Sequence, residues 1–266
     1  MNPIPVRTFS VDALNVEVYP DPQAVALAAV RQIIERLQHT LAQQSTATMV
    51  FATGRSQLGL LSYLRHDTQV DWSRVKGFHL DEFLGLSRQH PASFGYYLHH
   101  HIAQWLPFQA FHYLQGDALE PIAECDRYTD LLSQQPIDIC LLGIGNNGHL
   151  AFNDPAVANF HDPRWVKLVR LDAINRQQQF ASEHFAQLEN VPTHAITLTL
   201  STILRARYNV CCVFGQPKAD VMQTVLTASP SSHCPATGLR LEGDGKNTLF
   251  MDESAGQSLD LTALLP

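Results

Sequence analysis

The sequence predicts an α/β protein with a mainly parallel sheet and helices on both faces. Three observations predict it. Short apolar runs of strand length alternate with stretches of helical periodicity, the pattern of βα units. The apolar runs read as buried strands, which suits a parallel sheet covered by helices. Three chemically loaded stretches, "TGRS", "LDEF" and "GNNGH", each follow an apolar run, at the carboxyl strand ends where such sheets gather ligands.

The clearest helix is "DPQAVALAAVRQIIERLQHTLAQQ" (21–44). Asp21 can cap it, Pro22 suits its first turn, and Val30, Ile33, Ile34, Leu37 and Leu41 form one apolar stripe. "ATMVFA" (47–52) follows as a buried strand and ends in the turn "TGRSQ". Further strands are predicted at 75–80, 137–144, 165–171, 195–200, 210–214 and 248–251, with helices at 57–65, 91–105, 120–134 and 217–228. No internal repeat, low-complexity tract or long linker divides the chain, so residues 1–266 are expected to form one domain.

Composition narrows the partners. A hydrophobic content of 45% suits a sizeable core, and a formal net charge of −7 without any Lys/Arg-rich run argues against nucleic acid. An anionic ligand must then be held by a few local cations and backbone amides, against the overall field. The cysteines at 125, 140, 211, 212 and 234 show neither a CxxC pair nor zinc spacing, and are expected as reduced, buried thiols of a cytoplasmic protein. "MNPIPVRTFS" lacks the segments of a secretory signal, and no apolar run approaches the ~20 residues of a membrane helix. In "LHHHI" (98–102) consecutive helical positions do not share a face, so a surface or interface cluster is expected rather than a metal site. Cys211 and Cys212 face opposite ways in a strand and read as two core thiols.

"CLLGIGNNGHLAFNDP" (140–155) contains G-x-G-x-x-G at Gly143, Gly145 and Gly148, the spacing of a dinucleotide-binding turn. That turn needs its third glycine to open an unbroken helix whose amino end receives a pyrophosphate. Here Asn153, Asp154 and Pro155 arrive within two turns, and proline disfavours helix in the residue before it. The dinucleotide reading is rejected. The alternative is a sharp turn that exposes His149, an imidazole able to give and take protons near ~6.5. Asp154 can return toward that ring and fix its tautomer.

"LDEFLGL" (80–86), "HPASF" (90–94) and "GIGNNGHLAFNDP" (143–155), in this order, resemble the glucosamine-6-phosphate deaminases, in the superfamily that also holds the 6-phosphogluconolactonases. The likeness runs from about the first strand to "CPATGLR" (234–240). It implies a modified doubly wound (Rossmann-like) α/β fold and a deaminating aldose–ketose isomerase, placed in the hydrolase class, that turns glucosamine 6-phosphate or a related hexosamine 6-phosphate into fructose 6-phosphate or the matching ketose phosphate, with loss of ammonia. No metal or organic cofactor is implied. The partner is a small sugar phosphate, not nucleic acid or membrane, and a homo-oligomer is left open.

By the same resemblance Asp81 carries the proton between C2 and C1, His149 assists ring opening, and Asp154 orients it. Glu82, adjacent in "HLDEF", points elsewhere and supports the surroundings. The phosphate is expected on Thr53, Gly54 and Ser56, in a loop that lacks the nucleotide P-loop pattern, with Arg55 beside them. Lys218, at a helix start, and Arg176 are further anchors implied by the family pattern.

Two departures mark a divergent branch. Asn147 stands where the better-known deaminases carry an aspartate, so it can bond the histidine ring but not stabilise imidazolium by charge; "TGRSQ" replaces a Gly-Gly-Thr version of its loop. One rival is a 6-phosphogluconolactonase-like hydrolase, but lactonases typically show Asp-Glu-Arg where this chain has Asp81, Glu82 and Phe83, and they lack "AFNDP". The other is a non-catalytic sugar-phosphate sensor, against which Asp81, His149 and Asp154 are all present.

Overall fold

The computed structural model describes residues 3–180, 185–241 and 247–259. The chain opens with β1 (Arg7–Val11) and β2 (Leu14–Tyr19), an antiparallel hairpin turned at Asp12, whose φ of 51° is left-handed. In α1 (Pro22–Gln43) the Asp21 carboxylate accepts from the Ala24 amide at 2.8 Å, and the stripe from Val30 to Leu41 is buried. Next come β3 (Ala47–Phe51), α2 (Arg55–Leu64), β4 (Val75–His79), β5 (Asp81–Phe83), α3 (Phe94–Leu98), β6 (Ala110–Phe111) and α4 (Pro121–Leu132). The remainder comprises β7 (Ile139–Leu142), β8 (Val166–Arg170), α5 (Ala173–Phe180), β9 (His194–Leu198), α6 (Leu200–Leu204), β10 (Tyr208–Val213), α7 (Ala219–Thr227) and β11 (Asn247–Asp252).

Eight strands form the main sheet, in the order β1-β2-β11-β10-β7-β3-β4-β6, with helices on both sides. Every neighbouring pair is parallel except β1 with β2. Chain order reverses between β3 and β7: β4 and β6 extend one way, β10 and β11 the other. Such a switch point leaves a crevice at the carboxyl strand ends, because successive connections diverge there.

The sequence places 165–171 and 195–200 among the buried strands of the parallel sheet. They instead form a separate antiparallel sheet, β5-β9-β8. β8 is only half buried, as a strand in a covering layer can be, while β3 and β7 are buried throughout. The 195–200 run also ends early. Thr199 leaves the strand and its hydroxyl accepts from the Thr202 amide at 3.3 Å, starting α6. The helix expected over 91–105 begins only at α3, where the Ser93 hydroxyl accepts from the Tyr96 amide, and it widens into a π-turn over His99–Ala103. The five cysteines are buried and unpaired.

The first hairpin is tied to the rest of the molecule by Arg240, whose side chain is 8% exposed. It donates to Asp12 Oδ2 at 2.7 Å and to the carbonyls of Val225 and Ala228 at the end of α7. Asp12 is 55% exposed and would rehydrate if its partner were removed; the two carbonyls would lose a buried donor. Arg240→Ala is therefore expected to cost about 2 kcal/mol. Chemical denaturation should show a lower midpoint with an unchanged slope, and an unshifted midpoint would contradict the tie.

Candidate active site

One cavity of about 640 Å³ lies at the carboxyl ends of β10, β7, β3 and β4, four consecutive parallel strands. Asp81, His149, Lys218 and the whole Thr53–Ser56 turn line it. Asp81 and His149 thus face a single space.

Asp81 arrives there because the chain changes sheets. The Leu80 amide donates to Phe51 O at 3.1 Å on β3, and the Leu80 carbonyl accepts from the Leu198 amide at 2.8 Å at the end of β9. One residue later Asp81 pairs with Thr197 in the small sheet. Asp81 is 7% exposed, and no described residue donates a hydrogen bond to its carboxyl. Burial first, and then the neighbouring Glu82 charge, push its pKa well above the ordinary carboxylate range. Glu82 turns the other way, as its adjacent position requires. Its oxygens accept from Ser93 Oγ at 2.7 Å and from the amides of Phe83, Phe94 and Gly95. It holds the start of α3.

His149 sits on the turn after β7. Gly145 passes so close beneath the imidazole that a Cβ there would overlap the ring, and Gly148 has φ +80° with Cys234 Sγ where its Cβ would stand. The G-x-G-x-x-G spacing therefore makes room for a histidine ring and a left-handed turn. His149 Nδ1 lies 2.7 Å from Asn147 Oδ1 and 3.1 Å from Asp154 Oδ1. Both neighbours are acceptors, so Nδ1 carries the proton, and Nε2 has no partner among the described residues. Asn147 Nδ2 donates to Asp154 at 3.1 Å, which fixes the amide's orientation. Asn175 Nδ2 bonds both Asp154 oxygens at 3.2 and 3.0 Å. Burial alone would raise the Asp154 pKa, but the hydrogen bonds from His149, Asn147 and Asn175 hold it below its ordinary value.

Lys218 Nζ donates to Ile144 O and Asn146 Oδ1, each at 2.7 Å, and burial lowers its pKa. Across the cavity Gly54, with φ +95°, precedes α2 without any side-chain cap, so first-turn amides face outward. Tyr97 braces that turn, its hydroxyl donating to Gly54 O at 3.1 Å. Arg55 is exposed on the rim. Arg176 is placed elsewhere: its guanidinium donates to Leu188 O at 2.8 Å and Val191 O at 2.9 Å, and it does not line the cavity.

Residues not anticipated from the sequence complete the site. Asn175 immediately precedes Arg176, but which side of α5 faces Asp154 depends on how the helix docks. Asn153 is buried and its amide donates to Leu150 O and Leu198 O, tying the histidine turn to β9. Phe83, Phe94, Phe152 and Phe185 pack ring to ring along one wall. Among the described residues, no group of three or more His, Cys, Asp or Glu could hold a metal ion, and His99–His101 form no such group.

An α/β sheet with a buried carboxyl, an oriented imidazole and a lysine around one strand-tip cavity has the parts of an acid–base enzyme for an anionic ligand. The family model "Glucosamine-6-phosphate isomerases/6-phosphogluconolactonase" matches residues 20–249, and the chain belongs to that family. It is 35% identical over 221 residues to a glucosamine-6-phosphate deaminase of Exiguobacterium sp., covering 81% of this chain and 85% of that one. It is 33% identical over 227 residues to a deaminase of Bacillus cereus, covering 85% and 83%. A solved monomeric glucosamine-6-phosphate deaminase superposes with TM-score 0.84 at 27% identity, over 92% of this chain and 99% of that one. A 6-phosphogluconolactonase from Shewanella baltica, at 21% identity and TM-score 0.74 over 89% and 97%, shares the fold. No described helix is long and apolar enough to cross a membrane.

The Asp81 carboxyl yields a stability prediction. An unfolded aspartate titrates near ~3.9, and the folded protein keeps Asp81 protonated to higher pH. Unfolding between the two values releases a proton, so the contribution is full below ~3.9 and is lost as pH rises through the folded value. Asp81→Asn lacks that loss. Its melting temperature should rise relative to wild type as pH goes from about 4 to about 8; a flat gap would contradict the buried placement.

Proposed function

We propose that this chain is a deaminating aldose–ketose isomerase, taking glucosamine 6-phosphate or a related hexosamine 6-phosphate to the ketose 6-phosphate and ammonia. The observation that carries it is the opening of Asp81 and His149 onto one cavity, with Lys218 and the α2 amino end on its walls. The phosphate rests on the Thr53–Ser56 turn and Lys218, whose backbone amides, hydroxyls and ammonium suit an anion.

The chemistry follows from the tautomers. Unprotonated Nε2 of His149 takes the proton of the C1 hydroxyl and returns it to the ring oxygen, opening the sugar to its aldehyde. The transient imidazolium is stabilised through Nδ1 by Asp154, the carboxylate bonded to that ring; Asn147 contributes geometry without charge. Asp81, as carboxylate, takes the C2 proton while the electron pair moves toward the C1 oxygen, and delivers it to C1. An imine is left at C2; water adds and ammonia leaves. The net reaction consumes one water. An elevated pKa makes Asp81 a stronger base toward a carbon acid than an exposed aspartate. Phe83, in place of an arginine beside the acid pair, favours this reaction over lactone hydrolysis.

The test is ammonia release from a panel of hexosamine 6-phosphates, run beside acid release from 6-phosphogluconolactone; lactone hydrolysis without ammonia would refute the reading. Asp81→Asn should abolish solvent exchange at C2 while the phosphorylated sugar still binds, and equal loss of both would remove its assigned role. Lys218→Ala should raise KM about 10- to 100-fold, the worth of one charge-assisted bond. An unchanged KM would take Lys218 off the phosphate.

A further inference from the structure

His79 ends β4, one residue before the chain changes sheets. Its imidazole is fully buried, does not line the cavity, and takes no part in the chemistry above. Both ring nitrogens are engaged. The Leu114 amide donates to Nε2 at 2.9 Å, and since a backbone amide can only donate, Nε2 bears no proton. Nδ1 therefore carries it and donates to the Asp81 carbonyl at 2.8 Å. Burial lowers the ring's pKa to about 4, against the opposing pull of that bond, so the ring is neutral in the folded protein near pH ~7. The main chain of His79 is held as well: its amide donates to the Tyr128 hydroxyl at 2.8 Å, and that hydroxyl faces the His79 and His112 carbonyls.

The geometry points to His79 as a positioning residue for Asp81: its imidazole braces the Asp81 carbonyl against the segment after β6 and so sets where the carboxyl enters the cavity. This rests on the reading of Asp81 as the proton carrier. The brace spans the seam between the two sheets, linking the end of β4 to the first residue of β5. There a small rotation of one peptide would swing the carboxyl away from a bound sugar. The ionisable side chains packed against the ring are Tyr113 and Tyr128, with ring centres 6.0 and 6.1 Å away, and the contact with Asp81 is to its carbonyl.

Three substitutions separate positioning from plain stability. His79→Asn puts an amide donor near the place of Nδ1 and can still reach the Asp81 carbonyl. His79→Gln puts its amide near the place of Nε2 and can serve only Leu114. His79→Phe keeps a ring and loses both bonds. For a bound sugar well below each variant's melting temperature, kcat should stay within about threefold of wild type in the Asn variant and fall on the order of 10- to 100-fold in Gln and Phe. KM should stay within about twofold throughout, because the phosphate is held by other loops. Equal kcat in all three, an order that follows melting temperature, or a Gln variant at least as active as Asn would overturn the proposal. If wild type releases no ammonia, the functional reading fails separately. Positioning is then read from the carboxyl titration of Asp81 in 13C-aspartate-labelled protein, assigned through Asp81→Asn. The midpoint should move in Gln and Phe and hold in Asn; no movement in any variant would sink the proposal.

Discussion

Two backbone hydrogen bonds at Leu80 join the main sheet to the small one, and the site depends on that joint. Leu80 gives its amide to Phe51 and its carbonyl to Leu198, so it belongs to β3 on one side and β9 on the other. Asp81 is thereby placed at the tips of the parallel strands yet covered by an antiparallel layer. The same joint that aims the carboxyl also dries it. An aspartate on an open strand-end loop would be solvated and weakly basic; here desolvation raises its affinity for a proton, which suits the proton abstraction proposed for it.

The His149 turn meets a different demand. An imidazole works in one orientation, and this turn reaches it by removing obstacles and adding acceptors. Gly145 lets the ring lie on the backbone, Gly148 supplies the left-handed bend, and Asn147 and Asp154 both meet the ring at Nδ1. Two asparagines, 147 and 175, hold Asp154 in turn. A carboxylate fixed this firmly keeps its charge near the ring, which offsets the neutral residue at 147. The two acids are therefore pushed in opposite directions, Asp81 up by burial and Asp154 down by the hydrogen bonds it accepts.

The order of the strands explains why these pieces meet. β10, β7, β3 and β4 lie side by side although the chain visits them as β3, β4, β7 and β10. The tips of all four carry chemistry: Lys218, His149, the Thr53–Ser56 turn and Asp81. A linear pattern shows four separate polar turns; the reversal between β3 and β7 makes them the walls of one crevice.

The sequence by itself determined the fold class, the parallel strands and the long first helix, because continuous apolar runs and helical periodicity record burial locally. It also singled out Asp81, His149 and Asp154, which sit in short motifs whose spacing is set by the turn that holds them; Lys218 was singled out only through the family resemblance. Tertiary structure alone decided which strands left the main sheet, since pairing partners are chosen by contacts far apart in the chain and β8 and β9 differ little in composition from their parallel counterparts. It likewise decided that Arg176 spends its guanidinium on the carbonyls of Leu188 and Val191, and that Asn175 beside it reaches Asp154. The direction of a side chain on a polar helix such as α5 is fixed by what the helix docks against, and no local pattern records that.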